Sequence, residues 1–114
     1  MAELEPEPPT LSEPPTLEIN MRLDPTGTQV VTLSGELDSS NAASLREQVA
    51  SIPPQPTRPL IFDLTDLRFM DSAGIAVLIG AEAKAGSVSI RNPSPIIRRV
   101  LEATGLSGVF PIES

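Results

Sequence analysis

From Leu17 to Leu23 apolar and polar residues alternate without a fault, Leu-Glu-Ile-Asn-Met-Arg-Leu. That period of two predicts a strand with one buried face. Asp24-Pro25-Thr26-Gly27 carries turn chemistry, and Thr28 to Leu37 is a second β-rich run, so the pair reads as a hairpin. The period then changes. Ala42, Leu45, Val49 and Ile52 recur at spacings of 3, 4 and 3, one face of a helix that Ser39-Ser40-Asn41 can cap. Pro53, Pro54, Pro56 and Pro59 end it and hold an open connection. Leu60 to Leu64 is a short, nearly continuous apolar run, which suits a central strand covered on both sides.

After a short loop, Ser72 to about Ala85 predicts a helix with little polar surface before Glu82 and Lys84. Val88 to Ile90 is a short strand. Ser94 and Pro95 supply an N-cap and a first-turn proline, Gly105 a C-terminal stop, and Ile97, Val100 and Leu101 face inward between them. Val109 to Ile112 reads as an edge strand, because Pro111 has no N–H for a ladder. The order β-β-α-β-α-β-α-β predicts an α/β fold: a mixed sheet with parallel pairs and right-handed connections, the helices packed mainly on one face.

Composition narrows the function. Cysteine and histidine are both absent from the 114 residues, which removes disulfides, thiol nucleophiles, imidazole bases and the usual zinc ligands. There is no P-loop pattern, and D-S-A-G is not the G-x-S-x-G of a serine hydrolase. The reading is a protein that is not an enzyme and needs no cofactor or metal. Asp63 and Asp66 are three apart but lack a third ligand; they read as a strand-end and a loop residue. Net charge is −7, yet Glu3, Glu5, Glu7 and Glu13 lie in residues 1–16, which contain no Lys or Arg. That segment has five prolines and two leucines, and it reads as a disordered acidic tail ahead of a domain at 17–114. Neither part offers a basic stripe, and with no Tyr or Trp there are no stacking platforms, so direct nucleic-acid binding is not expected. No apolar run reaches membrane-span length, and the N-terminus is the opposite of a secretory signal, so the expected location is cytoplasmic.

Ser72 is the residue that asks for an explanation. In Phe69-Met-Asp-Ser-Ala-Gly-Ile75 an apolar run is broken by Asp71, Ser72 and Gly74 where a helix begins. The plain role of Ser72 is the N-cap, worth about 1 kcal/mol. The same place also accommodates a phosphate, because a helix N-terminus offers unpaired N–H groups and the positive end of its dipole. From the residues alone both readings stand. Asp71 serves either the turn or the presentation of the serine, and Asp38 either caps the first helix or lines a binding loop. Gly74 reads as a site of close approach, by neighbouring backbone or by a binding partner. Arg98 and Arg99 read as a solvated helix face, Ser94 as a cap only, and Ile75, Val77, Leu78 and Ile79 as core or interface.

Three blocks then point to a family. Gly35-Glu36-Leu37-Asp38, the run Leu60 to Gly74 with its Asp-Ser-small-Gly motif, and Asn92 to Leu106 appear in order and cover most of residues 17–112. The chain resembles the STAS domain family, and within it the small bacterial anti-sigma factor antagonists. The resemblance implies a single STAS-type domain that captures an anti-sigma factor, itself a serine kinase of the histidine-kinase-like ATPase fold. Phosphorylation of the motif serine, here Ser72, releases that partner, and a serine phosphatase restores capture. It places Asp38, Asp71, Ser72, Ala73 and Gly74 on the partner-binding surface. The alternative is a STAS module of another assembly, a lipid-transport or stress-sensing complex. Three departures bear on partner choice: the stretch from Gly74 to Asn92 is about one helical turn shorter than the common pattern, the final helix of many relatives has no counterpart before Ser114, and the acidic tail has none in the family core.

Overall fold

The computed structural model describes residues 16–113, so the acidic tail expected at the N-terminus lies, but for Thr16, outside the described residues. The elements are β1 (Leu17–Leu23), β2 (Gln29–Leu37), α1 (Ala42–Ala50), β3 (Leu60–Met70), α2 (Ser72–Ala85), β4 (Val88–Arg91), α3 (Pro95–Ala103), a 3₁₀ turn (Leu106–Gly108) and β5 (Ile112–Glu113). They form one five-stranded sheet in the order β1-β2-β3-β4-β5. β1 runs antiparallel to β2, and the remaining pairs are parallel. This is the mixed α/β sheet that the period changes predict.

One apolar cluster joins the sheet to the helices. Val31, Leu33 and Leu37 of β2, Phe62, Leu64, Leu67 and Met70 of β3, and Val88 and Ile90 of β4 meet Leu45 and Val49 of α1, Val77, Leu78 and Ala81 of α2, and Ile97 and Leu101 of α3. On the other face Glu18, Asn20, Arg22, Thr32, Ser34 and Asp66 line an open trough. The double cover expected for β3 holds at one end only. Ile61 is buried on the second face with its register partners Val30 and Ser89. Beyond it Thr65, Asp66, Arg68 and Phe69 are exposed. Among the described residues no helix is long and apolar enough to cross a membrane.

β3 is where the structure departs most from the sequence reading. The strand does not stop at Leu64 and give way to a loop; it continues to Met70. Its register with β2 slips twice, Thr32↔Asp63 being followed by Ser34↔Asp66, and Gly35↔Leu67 by Glu36↔Phe69. Each slip inserts one extra residue in β3, a bulge that turns the side chains by one position. Asp63 braces the first, its Oδ1 accepting from the N–H (3.0 Å) and hydroxyl (2.6 Å) of Thr65. Asp63 and Asp66 are thus both strand residues.

Two ends are also corrected. The last strand starts after Pro111, not at Val109, because Val109 and Phe110 close the 3₁₀ turn on the Leu106 carbonyl and Phe110 goes into the core. At α1, Asn41 holds the cap position without capping; its Nδ2 donates to the Glu36 carbonyl and its Oδ1 accepts from the Asp38 N–H. Ser94 caps α3 as expected, accepting from the Ile97 N–H at 3.4 Å, and Gly105 ends it in the left-handed region at φ 79°.

The hairpin turn yields a pH prediction. Asp24 Oδ1 accepts from the Thr26 hydroxyl (2.6 Å), the Thr26 N–H (2.8 Å) and the Thr28 N–H (3.0 Å). These bonds, the Thr26 hydroxyl first among them, hold its carboxyl below the ordinary 3.8. A carboxyl with a depressed folded-state value contributes stability that is complete above its unfolded value and is lost as pH falls through the folded one. Asp24→Asn is therefore expected to melt below wild type at neutral pH. The two melting curves converge as the pH drops below 3.8.

Candidate functional site

The site forms where β2 and β3 end together. Leu37 and Met70 are register partners, and the Asp71 N–H donates to the Leu37 carbonyl at 3.3 Å. The next residues of the two strands, Asp38 and then Asp71-Ser72, are thereby set side by side at one end of the sheet. Asp38 and Asp71 are more than thirty positions apart in the chain, and parallel pairing of β2 with β3 brings them together, as the resemblance implies.

The cap of α2 is Asp71, not Ser72. Asp71 is extended, and its Oδ1 accepts from the N–H groups of Ala73 (2.9 Å) and Gly74 (3.3 Å). Its carbonyl takes the N–H of Ile75 at 3.1 Å. Ser72 is the first residue of the helix, exposed, and among the described residues nothing is hydrogen-bonded to its hydroxyl. The plain reading of Ser72 as a capping serine is therefore replaced. The correction changes the electrostatics as well. The first-turn amides of Ala73 and Gly74 already serve the Asp71 carboxylate, which leaves the N–H of Ser72 itself as the first-turn donor, beside a negative charge.

Asp38 builds the neighbouring loop. Its Oδ1 accepts from the N–H (2.9 Å) and hydroxyl (2.6 Å) of Ser40, and its carbonyl accepts from the N–H groups of Asn41 (3.2 Å) and Ala42 (2.9 Å). It folds the turn before α1 and stays half-buried. Gly74 is buried under the site, and a Cβ there would lie 2.7 Å from Met70 Cγ and 2.8 Å from Leu37 Cγ and Cδ2. The close approach is by side chains of the strand ends. Of the five residues placed on the partner surface, Ser72 is exposed, Asp38, Asp71 and Ala73 are half-buried, and Gly74 faces inward.

The structure also decides which side of α2 is open. Val77, Leu78 and Ala81 enter the core. Ser72, Ala76, Ile79 and Ala83 are exposed in a line, with Ile79 at 49%. Spacings of 4, 3 and 4 make this one stripe, apolar below its serine. Phe69 joins the exposed apolar surface at 47%, whereas Phe62 and Phe110 are buried. Sequence reading missed it. The signal was the spacing of Leu64, Leu67 and Met70, three apart and all buried, which leaves Phe69 out of step with an alternating strand. Arg68, beside it, pairs with Glu36 at 3.3 Å in an exposed setting, where such a pair contributes little.

Comparison with known proteins agrees with this geometry. The family model described as Mlab, STAS domain matches residues 21–112. An anti-sigma F factor antagonist of Paenibacillus polymyxa is 32% identical over 91 residues, covering 75% of this chain and 78% of that protein. Among solved structures, an anti-sigma factor antagonist from Mycobacterium paratuberculosis superposes with a TM-score of 0.73 at 28% identity, covering 86% of each chain. The Bacillus cell fate determinant SpoIIAA in its phosphorylated form gives a TM-score of 0.63 at 29% identity, covering 85% of this chain and 91% of that one.

Proposed function

This chain belongs to the STAS domain family, and from that premise we propose that it is an anti-sigma factor antagonist whose partner binding is switched by phosphorylation of Ser72. The observation that carries the reading is the exposed, unengaged hydroxyl of Ser72 at the first position of α2, directly beside the cap Asp71. In the unmodified state the stripe of Ala76, Ile79 and Ala83 gives a partner an apolar surface, and the Asp38 loop borders it. The partner is an anti-sigma factor with the histidine-kinase-like ATPase fold, which phosphorylates Ser72. The phosphate adds roughly −1.5 to −2 charges and three acceptor oxygens. Because Asp71 already uses the Ala73 and Gly74 amides, the new charge has only the N–H of Ser72 itself as a first-turn donor. A partner packed on this surface would have to desolvate it against Asp71, and the complex separates. A serine phosphatase resets the switch. The protein works by binding, in the cytoplasm, and its effect is to free a sigma factor.

The test is to incubate the purified chain with the anti-sigma kinases of its own organism and ATP, then to map phosphate by mass spectrometry and binding by calorimetry. Phosphate on Ser72 with loss of binding is expected. An active kinase that binds but modifies another residue would refute the assignment of Ser72. Absence of binding to every such kinase would turn the reading to a STAS module of another assembly.

A further inference from the structure

β1 is an outer strand of the sheet, and among the described residues nothing pairs with its far edge. The direction of its backbone groups follows from its two ends. The Glu36 N–H donates to the Thr16 carbonyl at 3.0 Å, and the Asp24 N–H donates to the Thr28 carbonyl at 2.9 Å. Backbone groups in an antiparallel ladder alternate sides. Even positions of β1 thus bond to β2, and Leu17, Ile19, Met21 and Leu23 aim their N–H and C=O groups outward. The strand has no proline and no lysine, and its register with β2 runs without a slip, so three of the devices that blunt an edge are missing, and its two charges are of opposite sign. At its start, Gly35 (φ 105°) admits the Thr16 carbonyl into space that a Cβ would occupy, which keeps the strand flat against β2 to its first residue.

Along Leu17, Glu18, Ile19, Asn20, Met21, Arg22 and Leu23 the apolar–polar alternation reads the same from either end, and the charges on the two sides of Asn20, Glu18 and Arg22, are opposite. We propose that β1 is a self-complementary dimerisation edge, pairing antiparallel with β1 of a second copy about a two-fold axis at Asn20 and joining two five-stranded sheets into one of ten strands. In this register Leu17 lies opposite Leu23 and Ile19 opposite Met21, and these are the positions with outward backbone groups, so they form the hydrogen-bonded rungs. Glu18 lies opposite Arg22 on both sides of the axis, and all four side chains are exposed in the single copy. Leu17, Ile19 and Met21, half-buried at the margin of the core, and Leu23, 61% exposed, gain apolar neighbours. A slip of one residue opposes outward groups to inward ones. A slip of two sets Asn20 opposite Glu18 or Arg22 and breaks both ion pairs. The sequence therefore favours one register, and a two-fold contact of this kind closes on itself as a dimer. Since β2 of the second copy then runs opposite to β2 of the first, the two Ser72 sites stand at opposite ends of the joined sheet. Both stay open, and the dimer offers two capture sites.

The test is sedimentation of the full-length chain over a range of concentrations at low salt. A monomer–dimer equilibrium is expected. Glu18→Arg or Arg22→Glu alone sets like charges opposite each other on both sides of the axis, and each is expected to weaken the dimer at least about tenfold. The double reversal is expected to restore it to within about threefold of wild type. Within one copy the two residues are four strand positions apart, about 13 Å, too far for one to repair the other. Ile19→Pro is a second probe, since it removes an outward N–H without breaking a bond to β2, and it is expected to abolish the dimer. Circular dichroism checks that each variant is folded. A monomer at every concentration, a dimer indifferent to the single reversals, or a loss that the double reversal does not repair overturns the proposal.

Discussion

Ser72→Asp is expected to weaken capture of the anti-sigma factor at least about tenfold, which corresponds to about 1.4 kcal/mol of binding free energy. Ser72→Ala is expected to bind as wild type does and to stay bound when ATP is added. The argument starts from Asp71. Its carboxylate takes the amides of Ala73 and Gly74, so a second carboxylate at position 72 has no free first-turn donor beyond its own backbone N–H. It must then face the partner beside Asp71 and near Asp38, above an apolar stripe. Burying such a charge without a partner group is costly. Aspartate carries one charge where phosphate carries close to two, so the mimic is expected to be weaker than the modification. Stability separates a switch effect from a folding effect. An acidic residue in the first turn suits the helix dipole, so the melting temperature of Ser72→Asp should not fall. Calorimetric titration at physiological salt with a parallel thermal melt makes the measurement. Two variants that both bind like wild type would remove Ser72 from the switch.

Much of the frame around this site was legible in the chain. The limits of α2, read as Ser72 to about Ala85 from the apolar run, agree with the helix observed. The Ser94-Pro95 start of α3 was written in cap chemistry, and the alternation of Leu17 to Leu23 was a clean period of two. β3 was not legible in its second half, for a physical reason. Two bulges make buried positions fall at Leu64, Leu67 and Met70, a spacing of three where a regular strand buries every second residue. Bulges depend on pairing with a strand thirty residues away, so the local pattern shows an irregular spacing without showing its cause. The cap of α2 was ambiguous for another reason. Aspartate and serine are both good N-caps, and here they are adjacent. The bond from the Asp71 N–H to the Leu37 carbonyl fixes Asp71 in extended geometry and makes it the cap, which pushes Ser72 into the first turn. That tertiary contact turns a capping serine into an exposed one.

The second large effect concerns the two glycines of α2, which are expected to respond to substitution with opposite signs. Gly80 is exposed, and a Cβ there meets nothing within 4 Å. Gly80→Ala should stabilise the fold by up to about 1 kcal/mol, because alanine gives up less backbone freedom on entering a helix. Gly74 gains from the same propensity and still should lose. Its Cβ would lie 2.7 to 2.8 Å from atoms of Met70 and Leu37. Those side chains are 4% and 0% exposed, so neither can swing into solvent to make room. Overpacking at such a point costs about 1–3 kcal/mol, and the branched side chain of Gly74→Val falls at the upper end, at about 3 kcal/mol. The strain has a direction. Leu37 and Met70 are the last residues of β2 and β3, and pushing α2 away from them loosens the Asp71 N–H bond to Leu37, which positions the first turn. Partner capture should therefore fall further in Gly74→Ala than its loss of stability accounts for, while Gly80→Ala, outside the stripe of Ser72, Ala76, Ile79 and Ala83, leaves capture unchanged. Denaturant unfolding of the three variants, read beside their binding, decides the matter. Equal stability of Gly74→Val and wild type would show that the helix start is not wedged against the strand ends, and the geometric account of why Ser72 stands exposed would go with it.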